Sequence, residues 1–157
     1  MKKVIILFLI FTSFQAVSQD YKNALGVRGG WPSGVTFKTF IAPDRALEGI
    51  LSGYRGGFEI TGLYELHQQA FDVPYLKLYY GPGMHIGLFS DNVLLPSYYH
   101  TRRGRGFLLG LDAVLGIEYT FTEVPFVVGF DLKPALDLSP QPFLYLTSGL
   151  SVRWYFK

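Results

Sequence analysis

The sequence lacks several features that would each have indicated a particular class of protein. Its 157 residues include no cysteine, so the chain holds together without disulfide bonds, which many small exported domains use. After the N-terminal stretch, no apolar run approaches the roughly 20 residues that a membrane-spanning helix needs. No internal repeat longer than a hairpin is visible either. Together these absences argue against a disulfide-stapled scaffold and a helical membrane protein.

The N-terminus has the pattern of a secretory signal peptide. Lys2 and Lys3 precede an apolar run at residues 4–11, and Ala16-Val17-Ser18 is a small-residue cleavage site. A transmembrane anchor is the weaker interpretation because the run is only about ten residues long. We therefore predict a cleaved signal peptide at residues 1–18 and a single domain at residues 19–157.

An excess of charge of one sign is also missing. Without Lys2 and Lys3, the 14 basic residues of the full chain become 12, which equals the number of acidic residues. A neutral exported chain gives no indication of a nucleic acid or another polyanion as partner.

Aromatic residues and glycine are abundant, with 14 Phe, 11 Tyr and 18 Gly. The stretch LKLYYGPGMHIGLF at residues 76–89 alternates strictly between apolar residues and small or polar ones, which predicts a β-strand. The same period of two recurs in seven further segments, separated by turn residues. The eight predicted strands are 22–30, 34–41, 46–54, 58–67, 76–89, 106–121, 126–133 and 146–156.

Two interpretations of this alternation are open. In a soluble barrel or sandwich the apolar face is the core, whereas in a membrane barrel it faces lipid and the polar face fills the lumen. The apolar face is almost unbroken and too bulky for the lumen of a small barrel, and the polar face carries many glycines, which suit a narrow interior. We therefore predict an all-β, eight-stranded, antiparallel up-and-down transmembrane β-barrel, with closure satisfying every strand edge.

The predicted inward face holds a nearly neutral set of charged residues, as a desolvated interior requires. The turn positions place Lys77 opposite Glu118, with Glu65 or His67 on its other side, and Lys38 opposite Glu48. The predicted lumen network consists of Arg28, Lys38, Glu48, Glu59, Glu65, His67, Lys77, His85, Asp112, Glu118, Asp131, Lys133 and Arg153.

Four stretches, GVRGGWPSGVTFK, ALEGILSGYRGGFEITGLYE, YYGPGMHIG and LGIEYTF, resemble the small outer-membrane barrels of the OmpA/OmpX type. The likeness is nearer to short barrel proteins of the Bacteroidetes kind, and it covers nearly all of the mature chain. It implies insertion by the outer-membrane assembly machinery, guided by a last strand that ends in an aromatic residue. Leu150, Val152, Trp154 and Phe156 match that assembly signal, although Lys157 follows the final Phe.

An even number of strands puts both termini on the periplasmic side. The outer loops are then predicted at residues 31–33, 54–57, 90–105 and 135–144, with the longest connection outside, as such barrels prefer. In the longest loop, arginines beside tyrosines suit the phosphates of lipopolysaccharide or another anionic surface partner, although a plain solvated loop explains them as well. These contact candidates are Tyr98, Tyr99, Arg102, Arg103 and Arg105.

The histidines of the predicted strands are the candidate catalytic residues. His85 is predicted to lie diagonally from Asp112, a pair that would suit acyl transfer if a serine completed it. Ser90 lies beyond the strand, and no other serine falls next to His85 on the inward face. His67 is predicted near the opposite end of the barrel, which argues against a shared metal site. We therefore predict no catalytic residue, no metal and no cofactor.

The predicted function is that of a non-catalytic protein in the outer membrane of a Gram-negative-type bacterium, with a structural or surface-interaction role. Its predicted partners are outer-membrane lipid, lipopolysaccharide and the assembly machinery, and the predicted state is a monomer. Three alternatives stay open: a narrow porin-like channel for small or apolar solutes, a lipid-modifying enzyme that depends on His85, and a soluble β-barrel.

Overall fold

The computed structural model describes residues 21–54, 56–90, 93–94, 101–102, 106–139 and 142–156. The predicted signal peptide lies outside these ranges. Within them, no helix is long and apolar enough to cross a membrane. The described chain forms ten strands: β1 Asn23–Gly30, β2 Ser33–Ala42, β3 Arg45–Tyr54, β4 Gly57–Gln69, β5 Leu76–Phe89, β6 Val93–Leu94, β7 Thr101–Arg102, β8 Gly106–Thr120, β9 Phe126–Ser139 and β10 Phe143–Phe156.

Eight of these strands close into an antiparallel barrel in the order β1-β10-β9-β8-β5-β4-β3-β2. Barrel strands that are consecutive in the sequence are neighbours in the ring. Strand β1 pairs with β10 to complete it, with Asn23 opposite Phe156. The two-residue strands β6 and β7 pair only with each other, inside the long connection between β5 and β8. The predicted eight-stranded all-β barrel is confirmed.

The two ends of the barrel differ in their connections. The terminal end, where β1 begins and β10 finishes, carries the turns at residues 43–44, 70–75 and 121–125. The opposite end, called the loop end here, carries the connections at residues 31–32, 55–56, 90–105 and 140–142. The predicted connections 31–33 and 54–57 are therefore shorter by a residue or two, because Ser33, Tyr54 and Gly57 belong to strands.

The prediction of a long loop at residues 135–144 is wrong. Strand β9 continues through Pro134 to Ser139, and β10 begins at Phe143, which pairs with Asp137. Pro134 stands directly opposite Leu146 in this ladder, on the outward face. Pro134 suggested an early end to the strand, yet pairing with β10 continues β9 beyond it, and the strand ends only where the Ser-Pro-Gln-Pro run begins at Ser139.

The two faces of each strand differ sharply in exposure. On β5 the side chains of Met84, Ile86 and Leu88 are 57%, 44% and 51% exposed, whereas His85 between them is fully buried. The same inversion runs around the barrel, where large apolar side chains face outward and charged ones are buried. The prediction that the apolar face points outward is confirmed.

Interior glycines make room for large side chains on neighbouring strands. A Cβ built on Gly110 would lie 2.2 Å from Cε1 of His85, and one on Gly116 would lie 2.3 Å from Cζ of Tyr79. These clashes show that the glycines leave space which the lumen side chains already occupy.

The strand registers test three predicted pairs. Lys38 stands opposite Glu48, and Lys77 stands opposite Glu118, as predicted. The prediction of Glu65 or His67 on the other side of Lys77 is wrong, because Lys77 pairs with Gln69 there. Strand β4 continues to Gln69, two residues beyond its predicted end, and this extension places Gln69 rather than His67 opposite Lys77.

Candidate functional site

The structure places all thirteen predicted lumen residues in the barrel interior, each with less than a tenth of its surface exposed. They divide into two clusters and one isolated pair, with Lys77 beside the first cluster. The inner cluster, near the terminal end, consists of Lys38, Glu48, Glu65, His67, Glu118 and Arg153. The outer cluster, nearer the loop end, consists of Glu59, His85, Asp112 and Lys133, joined by Asp137, which was not predicted.

The inner cluster is built around two buried cations. Lys38 Nζ lies 2.7–3.2 Å from one carboxylate oxygen of each of three glutamates, Glu48, Glu65 and Glu118. Arg153 Nη2 lies 2.5 Å from Glu48, and its Nη1 lies 3.7 Å from Glu118. Since these residues come from five strands, the cluster cross-links most of the barrel circumference at one level.

Aromatic side chains close the terminal end below this cluster. The Tyr21 ring packs edge-on against Phe40, with centroids 5.1 Å apart, and stacks on Tyr155 at 5.5 Å. Its hydroxyl donates a hydrogen bond of 3.0 Å to Glu118. Burial, together with the Glu118 carboxylate, raises the pKa of Tyr21 well above its usual value, so this hydroxyl stays a donor.

His67 belongs to this inner group but makes only one short polar contact. Its Nε2 lies 2.9 Å from Glu65, whereas its Nδ1 lies 3.6 Å from Glu118, beyond hydrogen-bond distance. The ring stacks on Tyr79 at 5.3 Å and lies 4.8 Å from the Phe40 ring. A neutral imidazole with its hydrogen on Nε2 therefore satisfies the contact of His67 with Glu65.

A single ion pair and an apolar belt separate the two clusters. Arg28 binds Asp131 through two hydrogen bonds, Nη2 at 2.5 Å and Nε at 3.3 Å. The belt is a packed cluster of four buried side chains, Ile50, Leu63, Tyr79 and Val114. The interior is thus layered, with apolar packing between its charged regions.

The outer cluster centres on His85. Its Nδ1 lies 2.8 Å from Asp112, and its Nε2 lies 3.1 Å from Asp137, so both ring nitrogens face carboxylates. Lys133 Nζ lies 3.0 Å from the other Asp112 oxygen and 3.9 Å from Glu59. The predicted diagonal relation of His85 and Asp112 is present, because Asp112 stands opposite Gly83, two residues from His85.

Sequence reasoning missed Asp137 and Tyr21 as lumen residues. Asp137 fell in the wrongly predicted loop, although the alternation Asp131, Lys133, Ala135, Asp137 continues across Pro134 and would have found it. Tyr21 precedes the first strand, where no periodicity reaches. Tyr79 is inward in the predicted pattern but was not given a role.

The remaining predicted residues lie on the outside or beyond the described part of the chain. Leu150, Val152 and Trp154 are 40–55% exposed on the outward face of β10, and Phe156 ends that strand with 43% exposure. Residues 98, 99, 103 and 105 and the side chain of Arg102 fall outside what the structure describes. Among the described residues, no group of three or more His, Asp or Glu side chains could hold a metal ion.

A closed ring of eight antiparallel strands is the OmpA-type barrel fold. A crystal structure of the N-terminal β-barrel domain of Pseudomonas aeruginosa OprF has this fold and aligns with the chain at a TM-score of 0.63. The alignment covers 85% of this chain and 95% of that domain at 18% sequence identity, a likeness that establishes the fold alone. No protein-family model and no curated protein matches the sequence.

Proposed function

We propose that this chain is an integral outer-membrane β-barrel protein, non-catalytic, with a structural or surface-interaction role and a lumen filled by paired charges. The main support is that the distribution of side chains is the reverse of that in a soluble protein, with apolar side chains outside and charged ones inside. Soluble proteins rarely expose large contiguous apolar patches, and a closed barrel leaves no unpaired strand edge in lipid. The exposed faces of all eight barrel strands carry large apolar side chains, which suit contact with lipid hydrocarbon.

The packing of the lumen favours a closed barrel over the channel alternative. Lys38, Glu65 and Arg153 are each 0% exposed, and the Tyr21 and Phe40 rings close the terminal end. Charges that bind each other across the interior occupy the path that a solute would take. This arrangement supports a filled interior.

The geometry around His85 argues against the enzyme alternative. A catalytic base needs a free nitrogen within reach of a nucleophile or substrate. Both nitrogens of His85 lie on carboxylates, within 3.1 Å. His85 is therefore better explained as part of the cluster than as the base of a hydrolase or acyltransferase.

In this proposal the terminal end faces the periplasm and the loop end faces outward. Residues 1–18 are removed on export, and the outward side chains of β10, Leu150 to Phe156, present the signal to the assembly machinery. The loop residues Tyr98, Tyr99, Arg102, Arg103 and Arg105 contact the phosphates of lipopolysaccharide. The barrel is a monomer in lipid.

The first test is electrophoresis of residues 19–157 refolded in detergent, with boiled and unboiled samples side by side. A closed membrane barrel resists dodecyl sulfate until it is heated, so the unboiled protein should migrate differently. Identical migration, together with solubility of the folded protein without detergent, would refute the proposal.

A pair of lysine substitutions sharpens this test. Met84→Lys places a charge on the outward face of β5 near the middle of the strand, where it should lower the free energy of unfolding from lipid vesicles by about 2–4 kcal/mol. Thr122→Lys, in an exposed turn at the terminal end, is the matched control, with an expected change of about 0–1 kcal/mol. Equal effects at the two positions would contradict a lipid-facing surface.

Single-channel recording separates the filled barrel from the channel. The purified protein in a planar bilayer should give no regular conductance steps. Reproducible steps of uniform size would instead support the channel alternative.

A further inference from the structure

The contacts of His85 require one proton more than a neutral imidazole between two carboxylates can supply. A neutral imidazole has one N–H and one lone pair, whereas an imidazolium has two N–H groups. Because Nδ1 and Nε2 both lie within 3.1 Å of carboxylate oxygens, each contact needs a hydrogen between the two heavy atoms. Imidazole is more basic than a carboxylate, so the added proton belongs on His85.

The charges around His85 also favour an added proton. Among the residues that the structure describes, the outer cluster contains three carboxylates, Glu59, Asp112 and Asp137, but only one ammonium group, that of Lys133. Glu59 is 99% buried, and its Oε2 has no hydrogen-bond partner. The titratable or polar groups that face His85 come from β4 (Glu59, Thr61), β8 (Asp112), β9 (Lys133, Asp137) and β10 (Tyr145).

The position of Gly110 explains how the contact between His85 and Asp137 forms. His85, Gly110 and Asp137 stand in one row across β5, β8 and β9. Any side chain at the middle position would occupy the space of the His85 ring, since a Cβ there would lie 2.4 Å from Nε2. The glycine therefore lets His85 reach over β8 to a strand that is not its neighbour.

The ladder that this contact spans is irregular. The β8–β9 register shifts between Leu109 and Gly110, so Leu109 pairs with Ser139 but Gly110 pairs with Asp137. A bulge weakens pairing locally. The contact through His85 thus fastens β9 at the point where its ladder with β8 is disrupted.

We propose that His85, Asp112 and Asp137 form a proton-binding site that fastens the loop-end halves of β5, β8 and β9 together and releases β9 when the proton leaves. Both contacts are complete only while His85 carries hydrogens on its two nitrogens, so the stabilisation is present on the acid side and is lost as the pH rises. On deprotonation, one nitrogen presents its lone pair to a carboxylate, and that contact becomes repulsive. The inference concerns the lumen and does not depend on the membrane role.

The first experiment measures the protonation of His85 directly in the unaltered protein. Nitrogen-15 imidazole shifts are recorded on refolded residues 19–157 in detergent micelles from pH 5 to pH 9. His85 should show two N–H nitrogens at pH 6 and should lose one as the pH rises. His67, with one short contact, is the internal control and should show one N–H and one bare nitrogen. A bare nitrogen on His85 at pH 6 would overturn the proposal.

The second experiment measures the release of β9 by amide hydrogen exchange, corrected for the intrinsic pH dependence of exchange. Protection of residues 135–139 should fall about tenfold or more between pH 6 and pH 9, because a charge-assisted contact is lost. His85→Gln should show the low protection at both pH values, and His67→Gln should keep the pH response. Protection in the unaltered protein that does not change with pH, or a pH response that survives in His85→Gln, would contradict the release.

Discussion

The inner and outer clusters fill the same lumen with the same kinds of residue, yet they balance charge differently. The inner cluster and the adjoining Lys77 bring three carboxylates together with three permanent cations. The outer cluster brings three carboxylates together with one ammonium group and a histidine. The cations of the inner half are therefore permanent, while the charge of the outer half depends on whether His85 holds an added proton.

The two histidines show the same difference. His67 has one nitrogen on a carboxylate and rings on both faces, Phe40 and Tyr79, an environment that a neutral imidazole satisfies. His85 has carboxylates on both nitrogens. Two buried histidines in one barrel thus have opposite requirements, and their partners, more than their burial, set them apart.

The largest effect should come from breaking the inner cluster. Glu118→Gln keeps the shape of the side chain but removes the carboxylate that contacts Lys38, Arg153 and Tyr21. Leaving buried cations without their partner should lower the free energy of unfolding by about 3–5 kcal/mol. Urea titration of the barrel in lipid vesicles measures this. A loss below about 1 kcal/mol would mean that water or the remaining glutamates compensate, contrary to a dry and balanced cluster.

An intermediate effect is expected where the outer cluster is disturbed by shape alone. Gly110→Ala leaves every charge in place but forces the His85 ring to move, which should reduce the free energy of unfolding by about 1–3 kcal/mol. Gly62→Ala is the matched control, because Gly62 is exposed and a Cβ there would meet nothing within 4 Å. Equal stabilities of the two variants would show that the His85 ring is not tightly packed against Gly110.

The smallest effect should come from removing a charge from the outer cluster. Glu59→Gln is the same chemical change as Glu118→Gln, at a residue that is 1% exposed in both cases. It removes a carboxylate from a region with an excess of them, so the free energy of unfolding should change by less than about 1 kcal/mol. A loss as large as that of Glu118→Gln would erase the distinction between the two halves of the lumen.

The strand content and the direction of each face could be predicted because both follow from a period of two. Every charged residue predicted to point inward, from Arg28 to Arg153, is buried in the structure, because alternation is a local property of extended chain. Pro134 shows the limit of local signals. Its ring is tolerated on the outward face because the ladder with β10 supports the strand on both sides of it.

The grouping of the charges could not be predicted, because it depends on contacts across the lumen between strands that are not neighbours. Arg28 and Asp131, from β1 and β9, meet this way, and so do His85 and Asp137. Such contacts depend on barrel tilt and on which interior positions lack side chains. Pairs on adjacent strands, such as Lys38 and Glu48, could be predicted because turn lengths set their register.

The pairing of β1 with β10 determines the order in which the chain can fold. Residues 23 and 156 meet in the ring, so the first strand has no second neighbour until the last one arrives. Hairpins between successive strands form early because their loops are short, whereas this final ladder has the longest loop to close. Until it forms, two strand edges remain open to pairing with other chains. The chain therefore completes its fold only after its last strand has been released. Until then it avoids aggregation only if it is kept apart from other copies of itself.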